Sequence, residues 1–207
     1  HFDNQFNVAT FTWAQSSSKK NTKSRSTAPL TVLSRKAGIT QSAKNFAVTN
    51  ASKHGLTHNA IEQASIKDIH DLGRGAVVTK YQQKVNGIEV SNRHFNVIMN
   101  QKMELIATSG YFSKAKIPSQ SLANQFNITP EQAIAKAFSD IGGDDIILNK
   151  TGEKAQYQSF KATGSDKFTF SDQPRVKRIY YPTVDALIPA YYVELMVAAS
   201  DSKQVQG

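Results

Sequence analysis

The stretch Gly75-Ala-Val-Val-Thr-Lys-Tyr-Gln-Gln-Lys-Val-Asn-Gly-Ile-Glu-Val90 decides the fold, because two extended segments meet within it at an Asn-Gly turn signal. The segments 76–85 and 88–99 are rich in the β-branched and aromatic residues that favour strands. A two-residue turn between antiparallel strands needs positive φ at both central positions, which Asn86 and Gly87 tolerate. The sequence therefore predicts a β-hairpin that turns at Asn86 and Gly87.

The first strand of this hairpin carries three side chains that are candidates for a functional surface. Alternation along a strand puts Tyr81 and Gln83 on one face and Gln82 on the other, so we expect at least one glutamine to project from the sheet. Two interpretations stay open for these residues. They either build the turn and the cross-strand packing, or Gln82 and Gln83 contact a partner protein.

A predicted helix comes before the hairpin. Ala43, Phe46, Ala47 and Ala51 follow helical spacing, and Gly55 is placed to end the helix. Thr40 or Ser42 is the predicted N-cap. Together with the hairpin, the remaining segments of suitable composition predict an antiparallel meander with strands at about 66–72, 76–85, 88–99 and 103–112.

A second helix followed by strands occupies the C-terminal half. Thr129 is placed as its N-cap, Pro130 as its first residue and Gln132 as the residue that closes a capping box. The predicted core face consists of Ile134, Ala137, Phe138 and Ile141, and Gly142-Gly143 ends the helix. The strands expected after it are 157–160, 168–170, 176–181 and 190–198.

The order of these elements predicts the domain organisation. A helix followed by antiparallel strands occurs twice, which indicates an α+β fold of two small modules, each with a helix packed on a sheet. We assign residues 40–116 to the first module and 117–207 to the second. Residues 1–39 are interpreted as an extended N-terminal arm and a basic Ser/Thr/Lys linker.

The net charge of +9 raises the question of nucleic-acid binding. Residues 1–45 hold seven Lys or Arg and one Asp, so +6 of the excess lies in and around the linker. Such a segment is typical of a solvated linker or of a site for an acidic partner such as an enzyme. No stacking motif for bases is present, so no nucleic-acid partner is predicted. No apolar run reaches the length of a membrane span, and no membrane partner is predicted either.

The sequence offers little catalytic chemistry. A zinc protease places a Glu between two His one helical turn apart, whereas His54-Gly-Leu-Thr-His58 has the spacing without the Glu and with a glycine in the expected helix. His70 and His94 are expected to be satisfied or exposed. The chain has no Cys, no nucleophile elbow and no phosphate loop. We therefore predict a protein that is not an enzyme and has no catalytic residue, metal or cofactor.

Several motifs resemble the propeptides of fungalysin and thermolysin, which are secreted zinc proteases. The resemblance is carried by Tyr81-Gln-Gln-x-x-Asn-Gly-Ile-x-Val90, by the strand end Ser109-Gly-Tyr-Phe112 and by the helix that opens at Thr129-Pro-Glu-Gln-Ala133. Phe2-Asp3 with Thr10-Phe-Thr-Trp13 and the segment Leu187–Leu195 extend it, the latter being similar to the PepSY-like half of these propeptides. Tyr191 and Tyr192 stand where Trp is more usual, and the match after Val197 is loose.

The resemblance implies a fold and a function. It implies two cystatin-like modules, an FTP-like one and a PepSY-like one, in a secreted or periplasmic prosegment. Such a prosegment assists the folding of a zinc metalloprotease, occupies its cleft and keeps it as a zymogen until cleavage. The alternatives are a free-standing cystatin-like or PepSY-type binding module and, less favoured, a basic polymer-binding domain. Besides Gln82 and Gln83, the candidate protease-contacting residues form the tail after the last strand: Asp201, Ser202, Lys203, Gln204, Val205, Gln206 and Gly207.

Overall fold

The computed structural model describes residues 1–4, 8–14, 32–116 and 126–200. The chain divides into two compact units, His1–Ala115 and Lys116–Gly207, called unit 1 and unit 2 below. Both have a mixed α+β structure in which antiparallel sheet predominates. The predicted α+β class is therefore confirmed.

Helix α1 of unit 1 runs from Val32 to Asn50, and a 3₁₀ turn from Ala51 to His54 follows it. The predicted start at Thr40 or Ser42 is wrong, and the helix begins inside the segment 1–39 that was interpreted as arm and linker. The two apolar residues of its first turn, Val32 and Leu33, are exposed, so this turn does not continue the apolar face of the helix. An ion pair from Arg35 to Asp71 anchors this turn instead, and such a long-range contact leaves no local signal.

The sheet of unit 1 has five strands in the order β3-β7-β6-β5-β4, and all neighbours are antiparallel. The helix α2, His58–Gln63, lies between α1 and β4 and was not predicted, because six residues are too few to show a helical period. The strand bounds are Phe11–Trp13 for β3, Ser65–His70 for β4, Val77–Val85 for β5, Ile88–Met99 for β6 and Leu105–Gly110 for β7.

The N-terminal arm belongs to this unit. Strands β1, Phe2–Asp3, and β2, Val8–Ala9, pair with each other, and β3 pairs with β7 at the edge of the sheet. The predicted extended arm is thus a set of short strands, one of which extends the sheet. The predicted linker, residues 15–27, lies outside the described residues.

The core of unit 1 lies between α1 and one face of the sheet. Small residues of the helix, Ala43 and Ala47, let it approach the strands closely, and aromatic side chains fill the space between the layers. Buried members of this core include Ile39, Ala43, Ala47, Ala51, Leu56, Ile61, Val77, Tyr81, Phe95, Val97, Met99 and Phe112.

Helix α3 of unit 2, Pro130–Asp140, starts with the predicted capping box. Gln132 N–H donates to Thr129 Oγ1 at 3.2 Å, and the Thr129 N–H donates back to Gln132 Oε1 at 2.9 Å. Ile134 and Phe138 are fully buried. The inclusion of Ile141 in the core face is wrong, because the helix ends before it and its side chain is exposed.

Four strands of unit 2 form an antiparallel sheet in the order β8-β9-β11-β12, and β10 pairs separately with β13. The sequence does not predict strand β8. All of its residues except Leu148 are exposed, so the strand has no alternation of apolar and polar residues. The predicted strand 190–198 is two strands, β12 and β13. The bounds are Ile147–Lys154 for β8, Tyr157–Thr163 for β9, Phe168–Phe170 for β10, Arg175–Pro182 for β11, Leu187–Glu194 for β12 and Val197–Ala199 for β13.

Candidate functional site

The hairpin of β5 and β6 places its turn on the surface of unit 1. Val85 pairs with Ile88, so Asn86 and Gly87 form the two-residue connection, and their φ angles are +51° and +80°. These values fit a type I′ turn, whose twist matches that of the strands on either side. Both residues are exposed.

An irregular bulge interrupts the pairing of β5 with β6 a few residues from this turn. Gln82 pairs with His94 and Lys84 pairs with Glu89, so Gln83 alone stands opposite the four residues Val90–Arg93 of β6. Within the bulge, Asn92 has a φ of +52°. A bulge removes backbone groups from the ladder, and any that are buried need other partners.

The side chain of Gln82 supplies such partners. Its Nε2 donates to the carbonyl oxygen of Val90 at 2.7 Å and also lies 3.3 Å from that of Arg93 and 3.2 Å from that of Gln83. Only 3% of Gln82 is exposed. The amide therefore satisfies carbonyls that the bulge frees.

Gln83 forms a second buried amide contact, with the segment that follows β7. Its Nε2 donates to the Ser113 carbonyl oxygen at 2.9 Å, and its Oε1 accepts from the Ser113 N–H at 2.8 Å. Only 4% of Gln83 is exposed. This paired contact imitates a β-bridge and fixes residue 113 against the sheet.

These contacts correct the expectation that at least one of the two glutamines projects from the sheet. The bulge breaks the simple alternation on which that expectation depended, so both amides turn inward. Their geometry fits the interpretation in which Gln82 and Gln83 build the sheet. The other candidate contact residues, 201–207, lie outside the described residues.

His54 connects the N-terminal arm to the core and does not form a metal site with His58. Its Nδ1 lies 2.9 Å from the Ala9 carbonyl oxygen, its Nε2 lies 2.6 Å from Thr108 Oγ1, and its ring meets Phe95 edge-on. Burial lowers the pKa of His54, against the raising effect of the carbonyl contact. His58 is exposed at the start of α2. Across the described ranges, no three His, Asp or Glu side chains are grouped so that they could hold a metal ion.

His94 differs from the expectation that it is satisfied or exposed. It is half-buried, and its Nδ1 has no hydrogen-bond partner in the part of the chain that the structure describes. Burial, and then the nearby charges of Lys80 and Lys67, lower the pKa of His94 to about 4. The imidazole is therefore neutral at physiological pH.

A polar cluster ties three separate elements of unit 1 together. Arg35 of α1 donates from Nε to Asp71 Oδ2 at 2.7 Å and from Nη2 to Gln101 Oε1 at 2.6 Å. Gln101 in turn donates to Asp71 Oδ1 at 3.2 Å and to the Gly75 carbonyl oxygen at 3.2 Å. The cluster joins the start of the helix to the β4–β5 loop and the β6–β7 turn.

Comparison with known proteins bears on this part of unit 1. Residues 62–110 match a family model described as FTP, the Fungalysin/Thermolysin Propeptide Motif. This segment is similar to the propeptides of fungalysin and thermolysin. The predicted resemblance is thereby confirmed for the segment that runs from the end of α2 through β7, and the PepSY-like part lies outside the match. No curated protein matches the chain.

The propeptide motif contains most of the geometry described above. The turn, the bulge, both buried glutamines and the residues Asp71 and Gln101 all fall within it. The matched motif is that of a propeptide and not that of a catalytic domain. None of the helices in the described ranges combines the length and apolarity needed to cross a membrane.

Proposed function

We propose that this chain is the prosegment of a secreted, fungalysin-like zinc metalloprotease and acts as its intramolecular chaperone and inhibitor. The propeptide motif at residues 62–110 is the observation that carries the proposal. In this proposal, residues 40–116 act as an FTP-like module and residues 117–207 as a PepSY-like module, both of cystatin-like type, and residues 1–39 precede them.

A prosegment of this kind would act by surface contact. An antiparallel module can template a partner through a protein interface of standard size, while an extended segment lies in the substrate cleft and excludes substrate. The chain has no Cys, so a thiolate ligand to the catalytic zinc is not available to it. Inhibition would then be steric or would use an oxygen or nitrogen ligand.

We propose that the tail, residues 201–207, blocks the substrate cleft of the protease. It follows the last strand and has no pattern of core residues. Deleting residues 201–207 should weaken inhibition at least tenfold, which corresponds to about 1.4 kcal/mol, and should leave the melting temperature unchanged. A truncated chain that inhibits as tightly as the full chain would assign the inhibition to the folded units.

Inhibition in trans tests the proposed function as a whole. The full chain, added at micromolar concentration to the mature cognate protease, should lower the rate of peptide hydrolysis and show no peptidase activity alone. The same chain after thermal unfolding serves as the control. An unchanged protease rate, with both proteins shown to be folded, would rule out the inhibitor.

A second candidate function is a free-standing protein-binding module of cystatin-like or PepSY type. It is favoured by the separate cores of the two units, since each unit has its own cluster of buried apolar residues. A His-Glu-x-x-His domain encoded in the same reading frame would decide in favour of the prosegment. A gene without such a domain would decide in favour of the free-standing module.

A further inference from the structure

The sheet of unit 2 has two faces of different character. Side chains of paired residues lie on the same face, so the register of β11 with β12 assigns each residue to a face. Helix α3 packs on the face that carries Phe160, Val176 and Val193. Over residue 116 and residues 126–200, α3 is the one helix of unit 2, and the opposite face carries exposed side chains on either side of the buried Ile179.

The opposite face carries a cluster of aromatic and cationic side chains. Lys177 pairs with Tyr192, and its Nζ lies 5.6 Å from the centre of that ring and 4.8 Å from the centre of the Tyr157 ring. The guanidinium of Arg175 lies 5.5 Å from the Tyr157 ring and bonds to Glu194 at 2.6 Å. The Tyr157 hydroxyl also donates a hydrogen bond to Glu194 Oε1, with an O–O distance of 2.8 Å.

Apolar groups extend this cluster along the same two strands. Tyr181 pairs with Ile188, and 57% and 46% of these residues are exposed, while 44% of Tyr192 is exposed. Large apolar side chains that lie next to each other in water are typical of binding surfaces. We call the surface formed by Tyr157, Arg175, Lys177, Tyr181, Ile188 and Tyr192 the tyrosine face.

The charge of this face indicates the chemistry of its partner. Lys154 lies on the same side because it pairs with Tyr157, and Lys161 does so because it stands four residues after Tyr157 on β9. Both add to the charge of Arg175 and Lys177. Glu194 is the acidic residue within the cluster, and it already bonds to Arg175 and Tyr157. The face therefore has an excess of positive charge and complements an acidic surface.

We propose that the tyrosine face docks on an acidic patch of the catalytic domain of the cognate protease. This inference rests on the proposed prosegment function and specifies the surface through which unit 2 acts. Tyr and Arg, together with Trp, are the residue types enriched among those that dominate interface energies. The contacts among Lys177, Tyr157 and Tyr192 order these side chains before binding, which reduces the entropy lost on association.

Substitutions in the full chain test the face directly. Lys177→Glu reverses a charge, and Tyr192→Ala and Tyr181→Ala each remove a ring. Lys136→Glu and Ile141→Ala are matched controls, because these exposed residues belong to α3 and to its end, on the other side of the sheet. Binding to the mature protease is measured by inhibition at two salt concentrations, and folding is measured by thermal melts.

We expect each substitution on the tyrosine face to raise the inhibition constant at least tenfold, and we expect the controls to stay within threefold of the wild type. Added salt should weaken wild-type inhibition and affect Lys177→Glu less, because salt screens the charge attraction. If Lys177→Glu, Tyr181→Ala and Tyr192→Ala all inhibited with the inhibition constant of the wild type, the tyrosine face would not be the docking surface. The proposed prosegment function would be unaffected by that result.

Two other outcomes would also overturn the docking surface. The first is a chain that forms a dimer at the assay concentration and is made monomeric by Tyr181→Ala or Lys177→Glu, since a second copy would then occupy the face. The second is a folded wild-type chain that does not inhibit the protease, which would remove the prosegment function as well. Sedimentation of the free chain distinguishes the first outcome from the second.

Discussion

Units 1 and 2 use their polar side chains in opposite ways. Unit 1 buries His54, Gln82 and Gln83 and bonds them to backbone groups of the arm, the bulge and the segment after β7. Unit 2 instead holds tyrosines and cations at the surface of its sheet. The difference teaches that similar sheets can serve different ends, because polar groups turned inward fix one conformation and polar groups turned outward give the surface its chemical character.

Two glycines of unit 1 give the largest expected effect on stability. Gly110 and Gly87 have φ angles of +79° and +80°, but a Cβ at Gly110 would overlap the His94 carbonyl oxygen, whereas none of the surrounding atoms lies within 4 Å of one at Gly87. Gly110→Ala should cost about 3 kcal/mol or more, because strain and overlap add, and Gly87→Ala about 1 kcal/mol. Chemical denaturation measures both. Equal losses would show that the interior of unit 1 is less rigid than its contacts indicate.

Removal of a buried amide comes next. Gln83→Ala leaves the N–H and carbonyl of Ser113 without their partner, which should cost about 2–4 kcal/mol. Gln41→Ala, on the exposed side of α1, is the matched control and should change stability by less than about 0.5 kcal/mol. The free energies of unfolding of Gln83→Ala and Gln41→Ala test this expected difference. If Gln83→Ala were as stable as the control, the amide would belong to a surface and the contrast between the units would fail.

The polar cluster at the start of α1 gives a smaller, pH-dependent effect. Arg35, then the Gly73 N–H and Gln101, hold the pKa of Asp71 well below its usual range. In acid below about pH 4 the unfolded chain therefore binds a proton that folded Asp71 does not, and stability falls as the pH falls. Asp71→Asn should cost about 1 kcal/mol at pH 7 and reduce this acid sensitivity.

Melts between pH 2.5 and pH 7 measure that effect. Asp68→Asn is the control, since Asp68 is exposed on β4. The cluster would contribute nothing if Asp71→Asn and Asp68→Asn gave the same pH profile.

The three variants of the tyrosine face should by contrast leave the melting temperature near that of the parent, because their side chains are at the surface.

Local signals explain which parts of the fold could be predicted. Strand β6 was predicted at its observed bounds, Ile88–Met99, and the capping box of α3 was predicted residue by residue. Both depend on neighbours within a few positions of the chain. Strand β8 and the first turn of α1 were missed, because their exposed residues carry no apolar period.

The details of the candidate surfaces depend on contacts between distant residues. Gln83 meets Ser113, thirty residues away, and no sequence pattern near either residue indicates that contact. The polar run Ser91-Asn-Arg93 inside an apolar strand is the one local signal that could have indicated the bulge. The tyrosine face likewise requires the register of β11 against β12, which pairs Lys177 with Tyr192.

Hydroxyl-radical footprinting of the full chain bound to its mature protease tests the contrast between the units most directly. Tyr181 and Tyr192 of unit 2 should lose most of their oxidation in the complex. Trp13 of unit 1, 68% exposed, should be oxidised at the same rate bound and free. Protection of Trp13 with unchanged oxidation of Tyr181 and Tyr192 would contradict the assignment of the docking surface to unit 2.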